Sequence, residues 1–126
     1  MKEIITSSNA PPPVGPYSQA VALDGFIFLS GQVGRKPDTT DLEEGVAAQT
    51  HQAILNMQAV LAEKNLTLDN VVKTSVFLVN MGDFAEMNAV YGGFFDEDTA
   101  PARSTIEVSR LPLGASMEID AIASFS

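Results

Sequence analysis

Two stretches of this chain repeat apolar residues on one side at helical spacing, with short β-type runs between and around them. Val46, Thr50, Ile54, Met57 and Leu61 recur in this way through Lys64, and Met87, Val90, Tyr91, Phe94 and Phe95 form a second stripe. Each stripe predicts an amphipathic helix that must bury one face against something else. Asp41 with Glu44, and Asp83 with Glu86, have the spacing of acidic capping boxes at the two helix starts. Asn65 suits a left-handed stop after the first helix.

The β-type runs have their own punctuation. Tyr17 to Leu23 and Phe26 to Ser30 are apolar and separated by Asp24-Gly25, a dipeptide that favours a two-residue hairpin turn with positive φ. Val71 to Val79 is rich in β-branched residues and reads as a central, largely covered strand. Arg103 to Val108 places Arg103, Thr105 and Glu107 on one strand face, and Met117 to Phe125 alternates in the manner of a last strand. Thr6 to Pro16, with three prolines at 11 to 13, is irregular and extended.

The expected order is therefore β, β, α, β, α, β, β in one domain spanning residues 1–126, a usual size for a single core. This is an α+β architecture, with both helices packed on one face of a mixed β-sheet and the other sheet face uncovered. Hydrophobic residues make up 45% of the chain and charged ones 18%, leaving more apolar surface than a small monomer easily hides. A closed ring of identical subunits that turn their sheets inward satisfies both constraints.

Charge and composition exclude several functions. The formal charge of -9, with no Lys/Arg cluster to reverse it locally, repels nucleic acid and anionic lipid. An anionic small substrate therefore requires an arginine or lysine inside its site. With no cysteine and one histidine, His51, thiolate chemistry is absent and a metal site has almost no ligands. The glycines do not fall in a phosphate-binding spacing, so a nucleotide cofactor is not expected. No signal peptide and no run of spanning length are visible, so the expected location is cytoplasmic, away from membranes.

The remaining candidates for chemistry are Arg103 and Glu118, together with Tyr17, Asn88 and the Ser30-Gly31 end of the hairpin. A guanidinium grips a carboxylate through two parallel charge-assisted hydrogen bonds. A tuned carboxylate exchanges protons with water or a leaving amine. Spacing alone equally allows an ion pair of Arg103 with Glu118 or Glu107 on neighbouring strands. His51 reads as a helix residue and Lys73 as a strand-edge surface lysine.

Pro101-Ala102-Arg103-Ser104 through Leu111-Pro112 to Glu118-Ile119-Asp120-Ala121 resembles the C-terminal signature of the Rid family, also called YjgF or L-PSP. Asn9-Ala10-Pro11, Gly15-Pro16-Tyr17-Ser18-Gln19-Ala20, Phe28-Leu29-Ser30-Gly31-Gln32 and Asp83-Phe84 with Asn88 and Tyr91 resemble its other blocks in the same order. The resemblance implies a homotrimer with a chorismate-mutase-like fold and clefts between subunits. It implies a cofactor-free 2-iminobutanoate/2-iminopropanoate deaminase. Such an enzyme hydrolyses enamine and imine carboxylates, among them 2-aminoacrylate, released by pyridoxal-phosphate dehydratases.

On the same resemblance Arg103 clamps the substrate carboxylate and Glu118 positions or activates water. Tyr17 lines the pocket across the interface, and Ser30, Gly31 and Asn88 complete its wall. Where many deaminase members carry a cysteine two residues after the arginine, this chain has Thr105, which serves if only the backbone there touches substrate. Two other readings remain: a non-catalytic, chaperone-like or regulatory trimer that binds small carboxylates, and an endoribonuclease or translation inhibitor, which the charge opposes.

Overall fold

The structure, a computed structural model, describes residues 1–126. Its strands are β1 (Glu3–Ile5), β2 (Ala20–Leu23), β3 (Phe26–Val33), β4 (Val71–Leu78), β5 (Ala102–Glu107) and β6 (Met117–Ser124), with helices α1 (Val46–Ala62) and α2 (Phe84–Tyr91). The six strands form one mixed sheet in the order β1-β2-β3-β6-β4-β5. Only β4 and β5, joined through α2, run parallel.

The hairpin forms as its turn residues dictate, with φ of 52° at Asp24 and 86° at Gly25. Asn65, at φ 58°, follows the end of α1. β1 was not visible in the sequence: it has three residues and becomes a strand only by pairing Ile4 with Val21 and Ile5 with Ala20.

The helix starts also differ from expectation. α1 begins after Gly45, whose φ of 86° suits glycine, and no side chain caps it. Asp41 and Glu44 therefore form no capping box; Leu42 instead bridges Arg35. Asp83 accepts no backbone N–H as a cap either; Asn80 accepts the Gly82 N–H and starts a short 3-10 turn ahead of α2. The second helix ends at Tyr91, and Phe94 and Phe95 follow it in a turn.

Strand register fixes which residues share a face. Ile27 and Leu29 of β3, Met117, Ile119, Ala121 and Ala123 of β6, and Val71, Thr74, Val76 and Leu78 of β4 are buried on one side. Against that side α1 packs on β3 and β6, and α2 packs on α1. Ile54, Met57 and Leu61 of α1 are fully buried there, within a core cluster of 23 residues. Truncating any of them to alanine costs about 2–5 kcal/mol.

The opposite face has no cover from its own chain. Ile4, Leu23, Phe26 and Phe28 are exposed there, beside half-buried Val21, Ile122 and Phe77. Apolar side chains gathered on one open face are the signature of a contact surface. Amid it Lys73 donates to Ser104 Oγ at 2.9 Å, and Lys73, Ser75 and Asp120 share a shallow hollow with Phe28 and Ile122. Lys73 thus lies on this face of β4, one strand in from the sheet edge.

Candidate active site

The candidate residues fall into two groups that one chain does not bring together. Arg103 sits on β5 beside Thr74 of β4, which pairs in turn with Ala121 of β6, so this row belongs to the helix-covered face. Glu118 pairs with Phe77, which pairs with Ile106, so it belongs to the open face. β4 lies between their strands. The expected ion pair on neighbouring strands is thereby corrected: the sheet interposes a strand and the side chains point to opposite faces. Nor does Glu107 pair with Arg103, because its carboxylate accepts the Met81 N–H at 2.8 Å.

The chain's ion pairs are Lys36 with Glu43 and Lys64 with Glu3, so no carboxylate neutralises the Arg103 guanidinium. It donates to Asn88 Oδ1 at 2.8 Å. Its carbon lies 4.6 Å from the centroid of the Tyr91 ring and 5.6 Å from that of Phe84, a cation–π geometry. Tyr91 is itself locked by a 2.8 Å hydrogen bond with Thr74 Oγ1. Burial pushes the Tyr91 hydroxyl above its ordinary pKa, against the opposing effects of the Thr74 bond and of Arg103. α2 thus supplies a stacking surface and an amide acceptor for a half-buried cation. The open groove around it is lined by Asn88, Tyr91, Phe95, Glu97, Pro101 and Arg103. Thr105 lies two residues along the same side of β5, half-buried.

The second group surrounds a cavity of about 70 Å³ to which Tyr17, Gly31, Arg35, Leu113 and Glu118 contribute. That space is large enough for a water or a small polar group. Gly31 falls where β3 slips register against β6, between Leu29 and Gln32. A Cβ there would stand 2.3 Å from Glu118 Oε2, so glycine is what lets the carboxylate lie across the strand. Burial raises the Glu118 pKa above the ordinary glutamate value, and nearby Asp120 adds to the rise.

Tyr17 turns its hydroxyl back to accept the Val14 N–H at 3.3 Å, leaving its ring as the wall. Ser30 donates to the Ser18 carbonyl at 2.5 Å, so its hydroxyl ties β3 to the segment carrying Tyr17. His51 tilts against Phe94 at 5.3 Å between centroids, as a helix residue packing an aromatic. Gln19 and Arg35 hold the wall in place, yet nothing in the sequence singles them out, because their partners are backbone carbonyls of an irregular segment. Tyr91 reads in the sequence as one member of a helix stripe; its position under Arg103 needs the β4–β5 pairing.

With this geometry in view, likeness to other proteins becomes informative. The sequence profile described as Endoribonuclease L-PSP matches residues 7–125. The chain belongs to that family. Among Rid/L-PSP relatives, a RutC family protein of Synechocystis is 50% identical over 96% of this chain and 95% of its own length. The 2-iminobutanoate/2-iminopropanoate deaminase of Escherichia coli K12 is 43% identical over 98% of both chains. The crystal structure of E. coli TdcF with bound serine superposes with a TM-score of 0.92 at 38% identity, covering 98% of this chain and 99% of that one. The sheet and both helices are thus those of Rid-family structures.

Proposed function

We propose that the chain is a deaminase that hydrolyses small imine and enamine carboxylates to 2-keto acids and ammonia, in clefts formed where copies meet. The observation that carries this reading is the Arg103 guanidinium, held by Asn88, Tyr91 and Phe84 with no carboxylate of its own chain upon it. In an acidic protein, such an arrangement suits a ligand carboxylate. Glu118, on the opposite sheet face, supplies the complementary proton-exchanging group. A homotrimer of the chorismate-mutase-like type, with open sheet faces turned inward, covers Phe26 and Phe28 and sets one copy's Arg103 against another's Glu118 and Tyr17.

In such a cleft Arg103 fixes the substrate carboxylate, so the imine carbon is held rather than free to tumble. Ionised Glu118 accepts a proton from water as its oxygen bonds to that carbon. The Glu118 carboxyl returns that proton to nitrogen to give the carbinolamine. The carboxylate then takes the carbinolamine hydroxyl proton and passes it to nitrogen as the C–N bond breaks, so ammonia departs and the C=O of the keto acid forms. Because an imine carbon is already electrophilic, orientation and one proton exchanger suffice without a covalent nucleophile. Asn88 orients the guanidinium, while Tyr17, Ser30 and Gly31 shape the water side. Thr105 adjoins the carboxylate and tunes the substrate side chain accepted. No metal or cofactor takes part, and pyridoxal-phosphate dehydratases in the same cytoplasm supply the substrate.

A second reading has one observation in its favour, the serine held by the related E. coli TdcF: a trimer that binds small carboxylates without turning them over. An RNA-cleaving role, which the family's descriptive name carries, is opposed by the charge of -9. The deciding experiment follows enamine loss behind a threonine or serine dehydratase, with and without this protein. Acceleration is expected, and no acceleration would leave the binding role. Mixing Arg103→Ala with Glu118→Gln copies tests the shared cleft. Each variant alone is inactive, and random mixing restores about a quarter of the wild-type turnover, the share of clefts drawing each intact group from a different copy. No recovery after subunit exchange would refute the two-copy site.

A further inference from the structure

The Ser7–Tyr17 segment that roofs the Glu118 cavity has almost no regular structure of its own. Pro11, Pro12 and Pro13 lack N–H groups, so the segment cannot join the sheet. Its carbonyls are nonetheless held by side chains from the body of the fold. Gln19, 3% exposed, donates through Nε2 to the carbonyls of Ser7 (3.1 Å), Ala10 (3.4 Å) and Pro11 (2.8 Å), and its Oε1 accepts the Ser7 N–H at 2.6 Å. Arg35, 6% exposed, donates to the Pro12 carbonyl at 2.8 Å and the Thr39 carbonyl at 3.4 Å. Its guanidinium therefore ties the roof to the connection that follows β3. A buried cation with no carboxylate partner is costly to keep, and nothing in α1 or the sheet uses this one.

We propose that Arg35 is a positioning residue that, with Gln19, fixes the Ser7–Tyr17 segment as a roof over the Glu118 cavity and keeps bulk water from that carboxylate. Pro11, Pro12, Val14 and Tyr17 of the segment line the cavity together with Arg35 and Glu118. The ionisable groups around Glu118 are Asp120 on its own strand, Tyr17 from the roof and Arg35 after β3; the facing residues of β3 and β4, Gly31, Val33 and Phe77, carry no charge. Burial is the larger cause of the raised Glu118 pKa and Asp120 the smaller. Loosening the roof therefore admits water and lowers that pKa.

The inference deepens the proposed reading, since it concerns the same carboxylate, but its test needs no turnover. The Glu118 side-chain carboxyl is followed by carbon NMR against pH in the full-length protein, assigned by its loss in Glu118→Gln. In Arg35→Met loss of the cation would by itself raise the midpoint, so the expected fall of about half a pH unit reports water entering past the loosened roof. Lys64→Ala, which cuts the Lys64–Glu3 tether of the N-terminus outside the cavity, leaves it unchanged. Arg35→Lys, reaching one carbonyl instead of two, gives a smaller fall. A wild-type midpoint in Arg35→Met overturns the proposal. Should that variant not fold, Arg35→Lys decides in its place: a lowered midpoint supports the role and an unchanged one overturns it. A lowered midpoint in a protein that never accelerates enamine loss would leave the roof standing and remove only the deaminase.

Discussion

The Arg103 groove and the Glu118 cavity are built in opposite ways. The groove is open, its cation is held by aromatic faces and one amide oxygen, and its guanidinium keeps donors free for a ligand. The cavity is small and roofed, and its carboxylate lies over a glycine at a slip in the sheet. A group that grips a substrate needs access and an unneutralised charge. A group that trades protons needs a dry, fixed setting that moves its pKa. Separating them on two faces of one sheet prevents the arginine and the glutamate of a single chain from neutralising each other, as they would on adjacent strands.

Disabling the gripping half has the largest expected effect. Arg103→Ala removes both donors of the proposed carboxylate clamp and is expected to lower kcat/KM by about 10³-fold, while subunit assembly, measured by scattering, stays as in the wild type. Wild-type turnover in that variant would detach the groove from function. The cavity half is disturbed with less effect by Gly31→Ala. The added methyl displaces the flexible end of Glu118 rather than backbone, so the fold survives. The misplaced carboxylate then costs about 10²-fold in kcat, with KM for an imine substrate little changed. Equal losses in kcat and substrate affinity would mean that Gly31 also contacts the ligand.

Local chemistry made much of this fold readable in the sequence. Asp24-Gly25 specified a turn that any flanking strands could use, and the apolar spacing from Val46 to Leu61 specified a helix whatever lay beneath it. Nonlocal pairing was not readable. β6 inserts between β3 and β4, and no feature of Met117 to Ser124 announces those neighbours, so Arg103 and Glu118 could be expected on adjacent strands. The acidic pairs Asp41/Glu44 and Asp83/Glu86 matched a capping pattern, but Gly45 and Asn80 offered the backbone better starts. Among the site residues, Arg103 and Glu118 were conspicuous as charges within strands. Gln19 and Arg35 were hidden because a polar residue satisfied by distant carbonyls looks, in sequence, like any exposed one.

Returning to the groove, Asn88→Ala removes the acceptor that orients the guanidinium without removing the charge. A hydrogen bond to a charged group is worth about 1.5–3 kcal/mol, and this exposed one lies at the low end, so kcat/KM falls about tenfold, mostly through KM. An unchanged KM would show that the Tyr91 and Phe84 rings alone hold Arg103.

The smallest expected effect concerns the charge beside the cavity. In the proposed reaction Glu118 is ionised to accept a proton from water, so kcat/KM is expected to rise as pH climbs through its raised pKa. Asp120→Asn removes the lesser cause of that rise while burial remains. The limb of the pH profile therefore moves to lower pH by a few tenths of a unit, roughly what one partly solvated charge contributes. Stability moves the opposite way with pH. A glutamate whose pKa is higher folded than unfolded keeps its proton longer in the folded state, so stability falls as pH climbs from the ordinary carboxyl value through the raised one. Asp120→Asn narrows that window, and denaturant midpoints measured across it should decline less steeply than in the wild type. A limb that stays in place while the midpoints change would assign the profile to some group other than Glu118.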